Sequence, residues 1–186
     1  MKELGVKDAH ALQSYFIQRM EKFLNRRGRR LIGWDEILEG GLAPGATVMS
    51  WRGVKGGIAA ARAGHDVVMA ASTHVYFDYA QSKDPGEPLS IGGFIPLDKV
   101  YSFDPVPSEL TAEEGKRILG AQCQLWTEYM PTMSHLEYMA YPRISALSEV
   151  VWTPKEGKNW ESFDRRMDTH EQRLRALGVN FRPRKR

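Results

Sequence analysis

A single cysteine, Cys123, stands in 186 residues, so an internal disulfide is excluded. The compartment stays open, because secreted bacterial proteins can dispense with disulfides too. No apolar run approaches the ~20 residues that a membrane-spanning helix needs. The formal net charge is only +3, too small to point to nucleic acid as a partner. The five histidines, His10, His65, His74, His135 and His170, show no metal-ligand spacing, and beside one cysteine they predict no zinc site. The serines form no nucleophile elbow, and Gly56-Gly57 is too little for a phosphate-binding loop. No metal, cofactor, membrane or nucleic acid is therefore expected. The opening residues, Met1-Lys2-Glu3-Leu4-Gly5, carry no signal-peptide pattern and read as the continuation of something upstream.

What is present suits a globular domain with a real core: 42% hydrophobic and 26% charged residues over a length that can bury one. The cations cluster in Arg26-Arg27-Gly28-Arg29-Arg30 and in Arg182-Pro183-Arg184-Lys185-Arg186. The first cluster reads as a helix C-terminus, where positive charge suits the dipole. The second reads as a solvated basic tail, 179–186.

Along the chain, helical and extended patterns alternate. Asp8 caps a helix whose Leu12, Tyr15, Phe16, Met20, Phe23 and Leu24 follow a three-four spacing, with Gly28 as its stop. Short apolar strands are expected at Arg30 to Trp34, Thr47 to Trp51, Asp66 to Ala70 and Ile118 to Leu125. An Ala-rich helix, Ile58 to Ala63, lies between the second and third. A Pro- and Gly-rich segment, Ser82 to Pro107, is long enough to be functional or held by specific packing. A short helix starts at Ser108 or Thr111. A helix from Ser134 is broken or kinked at Pro142, and a last amphipathic helix spans Trp160 to Leu177. Short strands that are apolar on both faces and separated by crossovers predict a parallel α/β sheet. Four such strands fit a small doubly wound domain or half of a barrel, because a complete (β/α)8 barrel takes about 250 residues.

In parallel α/β folds ligands bind at the carboxyl ends of the strands. Those ends carry Trp34-Asp35-Glu36, Ser50-Trp51-Arg52, Tyr76-Phe77-Asp78 and Trp126-Thr127-Glu128. Three of the five tryptophans fall there. One such indole alone reads as core; three at equivalent positions read as a flat apolar wall, which suits the C–H face of a sugar. If the fourth strand continues far enough, Trp126 and Glu128, two residues apart, face the same side. The carboxylates Asp35, Glu36, Asp78 and Glu128 include either an acid/base pair for glycoside hydrolysis or acceptors for ligand hydroxyls.

With Trp34-Asp35-Glu36, Ser50-Trp51-Arg52-Gly53, Tyr76-Phe77-Asp78, Leu125-Trp126-Thr127-Glu128 and Tyr141-Pro142-Arg143-Ile144 in this order, the chain resembles the family 20 glycoside hydrolases, the β-N-acetylhexosaminidases. The resemblance implies the C-terminal half of a (β/α)8 TIM barrel, about strands five to eight, over residues 1–178. It also implies substrate-assisted retaining hydrolysis of terminal N-acetylglucosamine or N-acetylgalactosamine, in which the substrate's acetamido oxygen attacks the anomeric carbon and an oxazolinium intermediate forms. By motif, Trp34, Trp51 and Trp126 would wall the pocket. Tyr76 would donate to the acetamido oxygen, and Asp78 and Glu128 would accept from sugar hydroxyls. Family resemblance alone suggests a periplasmic or secreted setting.

One departure is large. The family's His-x-Gly-Gly-Asp-Glu motif, with its orienting Asp and general-acid Glu, does not occur in these residues, and Asp35-Glu36 sits in the next strand motif instead. The chain is therefore expected to act as a partial catalytic domain, inactive alone, with open sheet edges that pair with the missing half or with a second copy. The alternatives are a non-catalytic N-acetylhexosamine-binding protein, and a complete glycosidase using Asp35 or Glu36 with Glu128.

Overall fold

The structure is a computed structural model that describes residues 2–185; Met1 and Arg186, the ends of the expected segment and of its basic tail, lie outside it. In chain order the elements are α1 (Ala9–Asn25), β1 (Ile32–Trp34), β2 (Thr47–Ser50), α2 (Lys55–Arg62), β3 (Val67–Met69), α3 (Leu97–Tyr101), α4 (Ala112–Gly115), β4 (Ile118–Ala121), α5 (Met133–Ala140), α6 (Arg143–Trp152) and α7 (Trp160–Ala176). They fall into two compact units. The first is the chain up to Ala71 together with Pro105–Ala121; the second is Ser72–Asp104 together with the chain from Gln122 onward.

The first unit holds a four-stranded, wholly parallel sheet in the order β1-β2-β3-β4, as the apolar runs predict. Val48, Val67 and Met69 are fully buried, and Ala60 and Ala61 of α2 are buried with them. The strands are shorter than the runs that signalled them. β4 bulges: Val67 pairs with Ile118 but Val68 with Gly120. Gly120 has φ 148°, a conformation open to glycine, and Leu119 is left 61% exposed.

Helix α1 starts where expected, with the Asp8 carboxylate accepting from the Ala11 N–H at 2.8 Å. Its rotation is not the expected one. The buried residues are Ser14 and Glu21, not the apolar stripe, and Phe16 is 56% exposed. Ser14 Oγ donates to the Gly41 carbonyl at 2.7 Å, Gln13 Nε2 to the Glu36 carbonyl at 2.8 Å, and Gly45 N–H to Glu21 Oε1 at 2.6 Å. These tethers to residues 36–45, between β1 and β2, satisfy backbone groups that would otherwise be orphaned, and they turn Leu12, Phe16 and Phe23 outward.

The second unit packs α3 on α6. Tyr101 stacks on Phe163 with ring centroids 4.7 Å apart. Its hydroxyl donates to Glu149 Oε1 at 2.9 Å and accepts the Asn159 N–H at 2.8 Å. That N–H belongs to the cap of α7, whose Asn159 side chain accepts from Ser162 N–H. The long segment expected as loop thus contains α3, and its Val100, Tyr101 and Phe103 are core. The helix broken at Pro142 is α5 followed by α6, with a cis Tyr141-Pro142 peptide between them.

The expectation of a solvated tail is corrected. Arg182 Nε donates to Glu87 Oε1 at 2.6 Å and its Nη2 to Asp84 Oδ2 at 2.9 Å. Arg184 pairs with Asp164, with Asp168 at 2.5 Å and with Glu171 at 2.8 Å. Three carboxylates on one face of α7, one of them also paired with Arg175 at 3.5 Å, offer the Arg184 guanidinium a negative seat, so the tail docks.

Candidate functional site

In the first unit the ends of β1 and β2 are bound to each other through Asp35. This carboxylate is 1% exposed. Its Oδ2 accepts the backbone N–H of Trp51 at 3.1 Å and of Arg52 at 3.2 Å, and its Oδ1 accepts Arg52 Nε at 2.6 Å. Arg52 also reaches Glu39, Nη1 to Oε1 at 2.8 Å; these hydrogen bonds, first to Glu39 and then to Asp35, push the Arg52 guanidinium above its ordinary range. Glu36 accepts the Trp51 indole N–H, 3.0 Å from each oxygen. A Cβ at Gly56 would lie 2.9 Å from Asp35 Cβ, so glycine there lets α2 approach. Asp35 thus accepts backbone and guanidinium donors and ties the Trp51-Arg52 backbone to the end of β1, while Glu36 holds the Trp51 indole.

In the second unit Tyr76 pairs with Gln124 in a parallel bridge: Phe77 N–H donates to the Gln124 carbonyl at 2.7 Å and Gln124 N–H to the Val75 carbonyl at 2.9 Å. Tyr76 is buried and meets Tyr79 edge-on, centroids 6.0 Å apart. Two residues on, Asp78 is 5% exposed, and its Oδ1 has no hydrogen-bond partner. Burial raises the Asp78 carboxyl above its ordinary range; Glu128 adds to the rise, while its own backbone N–H and Arg143 oppose it. Trp126 is 42% exposed.

The premise that strand geometry continues to Glu128 does not hold. β4 ends at Ala121, pairing resumes only at Gln124, and Glu128-Tyr129 form a turn in which Met130 N–H donates to the Thr127 carbonyl at 3.1 Å. Trp126 and Glu128 are therefore presented by a loop. Tyr76, Asp78, Trp126 and Glu128 belong to the second unit, and Trp34 and Trp51 to the first. Among the described residues no three His, Cys, Asp or Glu side chains come together as a metal site, and no helix is long and apolar enough to cross a membrane.

Two residues went unassigned in the sequence. Gln124 is buried with an unpartnered Nε2, while its Oε1 accepts from Gln122 Nε2 at 3.2 Å. Arg143, noticed there only as part of a motif, is a fully buried cation. Its contacts are backbone carbonyls, which leave no trace in side-chain chemistry.

Short parallel strands joined by helical crossovers define a parallel-sheet α/β protein. Comparison with known proteins makes the class specific. The model of glycosyl hydrolase family 20, catalytic domain, matches residues 1–155, and the chain belongs to that family. A β-hexosaminidase of Porphyromonas gingivalis is 52% identical over 182 residues, which are 97% of this chain and 23% of that protein. A β-hexosaminidase of Vibrio furnissii is 37% identical, over 80% of this chain and 25% of its own length. The crystal structure of a family 20 exo-β-N-acetylglucosaminidase from Vibrio harveyi in complex with N-acetylglucosamine superposes with a TM-score of 0.90 at 33% identity, covering 98% of this chain and 29% of that one. The chain thus spans about a quarter of the length of these relatives, and its fold is a parallel-sheet α/β segment of a (β/α)8 barrel.

Proposed function

We propose that the chain supplies sugar-binding surface to a β-N-acetylhexosaminidase acting on terminal N-acetylglucosamine or N-acetylgalactosamine. In the second unit Trp126 stacks on the sugar face, Tyr76 donates to the acetamido oxygen, and Asp78 and Glu128 accept from hydroxyls. Trp34 and Trp51 serve as sugar-facing indoles of the first unit. Hydrolysis then proceeds with the acetamido oxygen displacing the leaving group from the anomeric carbon, followed by water opening the oxazolinium ring. The orienting Asp and proton-donating Glu of that scheme belong to a His-x-Gly-Gly-Asp-Glu motif that residues 1–186 do not contain. The sheet's outer strands β1 and β4 offer edges to which a further segment or a second copy adds.

The observation that carries this reading is Asp78. A buried acceptor without a protein partner is costly unless something else supplies a donor, and a sugar hydroxyl does so.

The test is binding of N-acetylglucosamine to the full chain, followed by tryptophan fluorescence, with glucose as the control. Selective binding that Trp126→Ala weakens about tenfold, or 1.4 kcal/mol, supports the reading. Equal affinity for the two sugars, or indifference to Trp126→Ala, overturns it. Hydrolysis of an aryl N-acetylglucosaminide by the chain alone should be negligible, since general-acid catalysis contributes about 10²–10⁴-fold. Robust turnover that Trp126→Ala abolishes would overturn the dependence on an external Asp-Glu pair.

A further inference from the structure

Arg143 is completely buried at the start of α6, and the hydrogen-bond partners it has among the described residues are backbone carbonyls. Its Nη2 donates to the carbonyls of Phe77 at 2.7 Å and Met139 at 2.6 Å. Its Nη1 donates to the carbonyls of Tyr79 at 2.9 Å and Ile95 at 3.1 Å, and its Nε to Met139 at 3.2 Å. The guanidinium lies over the Phe77 ring, 4.7 Å from the centroid. One side chain therefore joins three stretches of chain: the turn 77–80, Ile95 next to Phe94, the bridge partner of Ala80, and the end of α5. Only a planar group with five donors fits this set; a lysine ammonium brings three.

The carbonyls of Phe77 and Tyr79 flank Asp78, so fixing them fixes the backbone from which its side chain projects. The cation also stands close enough to act on that carboxyl. The charged groups facing Asp78 are Glu128, which favours protonation, and Arg143, which opposes it. Around Arg143 itself, burial brings the guanidinium down to about 9, still cationic at neutral pH, with Glu87, Asp78 and Cys123 supporting its charge and Arg182 opposing it.

We propose that Arg143 is a positioning residue for the sugar-binding turn: its donors hold the carbonyls of Phe77, Tyr79 and Ala80 on either side of Asp78, and its positive charge acts on the same turn, with Oδ1 ready to accept a hydroxyl. The assignment deepens the sugar-binding reading and rests on it for the task of Asp78. Its first test does not, because it needs no ligand.

The experiment is a ¹³C-carboxyl NMR titration of the full chain, with the Asp78 signal identified by its loss in Asp78→Asn. In Arg143→Gln the Asp78 midpoint should rise by about one pH unit, the scale of one nearby charge. In Arg143→Lys, which keeps the charge, the midpoint should stay near that of the parent while amide exchange in the turn speeds up. A lysine variant with the parent's exchange rates, or with a midpoint raised as for a neutral residue, overturns the proposal. So does a folded glutamine variant that titrates like the parent. If Arg143→Gln does not fold, the lysine variant alone decides between these outcomes. A second arm measures N-acetylglucosamine affinity against pH: loss of binding should begin at higher pH in Arg143→Gln than in the parent. If neither protein binds the sugar, the functional reading fails while the titration still stands or falls by itself.

Discussion

Asp35 and Arg52 hold each other twice: Arg52 Nε donates to Oδ1 at 2.6 Å while the Arg52 backbone N–H donates to Oδ2 at 3.2 Å. The same Oδ2 accepts from Trp51, so a single buried carboxylate sets how β2 runs into its indole. Asp35→Ala would leave these donors without an acceptor, and each buried orphan costs about 1–3 kcal/mol. Chemical denaturation should show a loss of that order, accompanied by a change in Trp51 emission. A stable Asp35→Ala protein with altered catalysis only would instead restore the acid/base alternative for this residue.

His74 provides a pH test. Its Nδ1 lies 2.8 Å from Thr73 Oγ1 and its ring stacks on Phe103, centroids 5.0 Å apart. Burial, with Lys99 nearby, lowers the imidazole from its ordinary 6.5 to about 4. Between those values the unfolded chain binds a proton that the folded one refuses, so this contribution to stability falls as pH falls through the window. In His74→Gln, which does not titrate, denaturation midpoints measured from pH 6.5 to 4 should decline less steeply than in the parent. Parallel slopes would contradict the assignment.

The docked tail predicts a stability contribution from residues whose composition suggested none. Arg184→Ala leaves Asp164, Asp168 and Glu171 facing one another. The pairs are partly shielded, between the limits for exposed and buried ion pairs, so a loss of about 1–3 kcal/mol is expected. The loss should shrink as salt is raised. Thermal melts of the variant at low and high ionic strength measure both effects.

The uncovered apolar stripe of α1 and the two open edges of the sheet predict association. Size-exclusion chromatography of the chain alone should show dimers or larger species, and replacing Phe16 by Glu should shift the profile toward monomer. A clean monomer for the parent would argue against the edges seeking partners.

Much of this architecture was legible because it is written in short-range chemistry. The parallel strands announce themselves as apolar runs, and Asp8 and Thr111, the latter one of two candidate starts, cap helices through their own side chains. What escaped depends on partners far along the chain. The apolar periodicity of α1 gave its helical state but not which side faces in, because Ser14 and Glu21 bind a loop some 24–27 residues away. Helix α3, five residues long, is too short to show a period. The site divides in the same way. Tyr76 and Asp78 follow a recognisable motif, whereas Arg143 works through carbonyls that any residue could present at those positions.

The bulge at Leu119 makes the two rims of the sheet unlike. β1 ends the strand order with a regular register, whereas β4 ends it with a residue out of step. A further strand is therefore expected to add more readily along the regular ladder of β1 than along the interrupted ladder of β4.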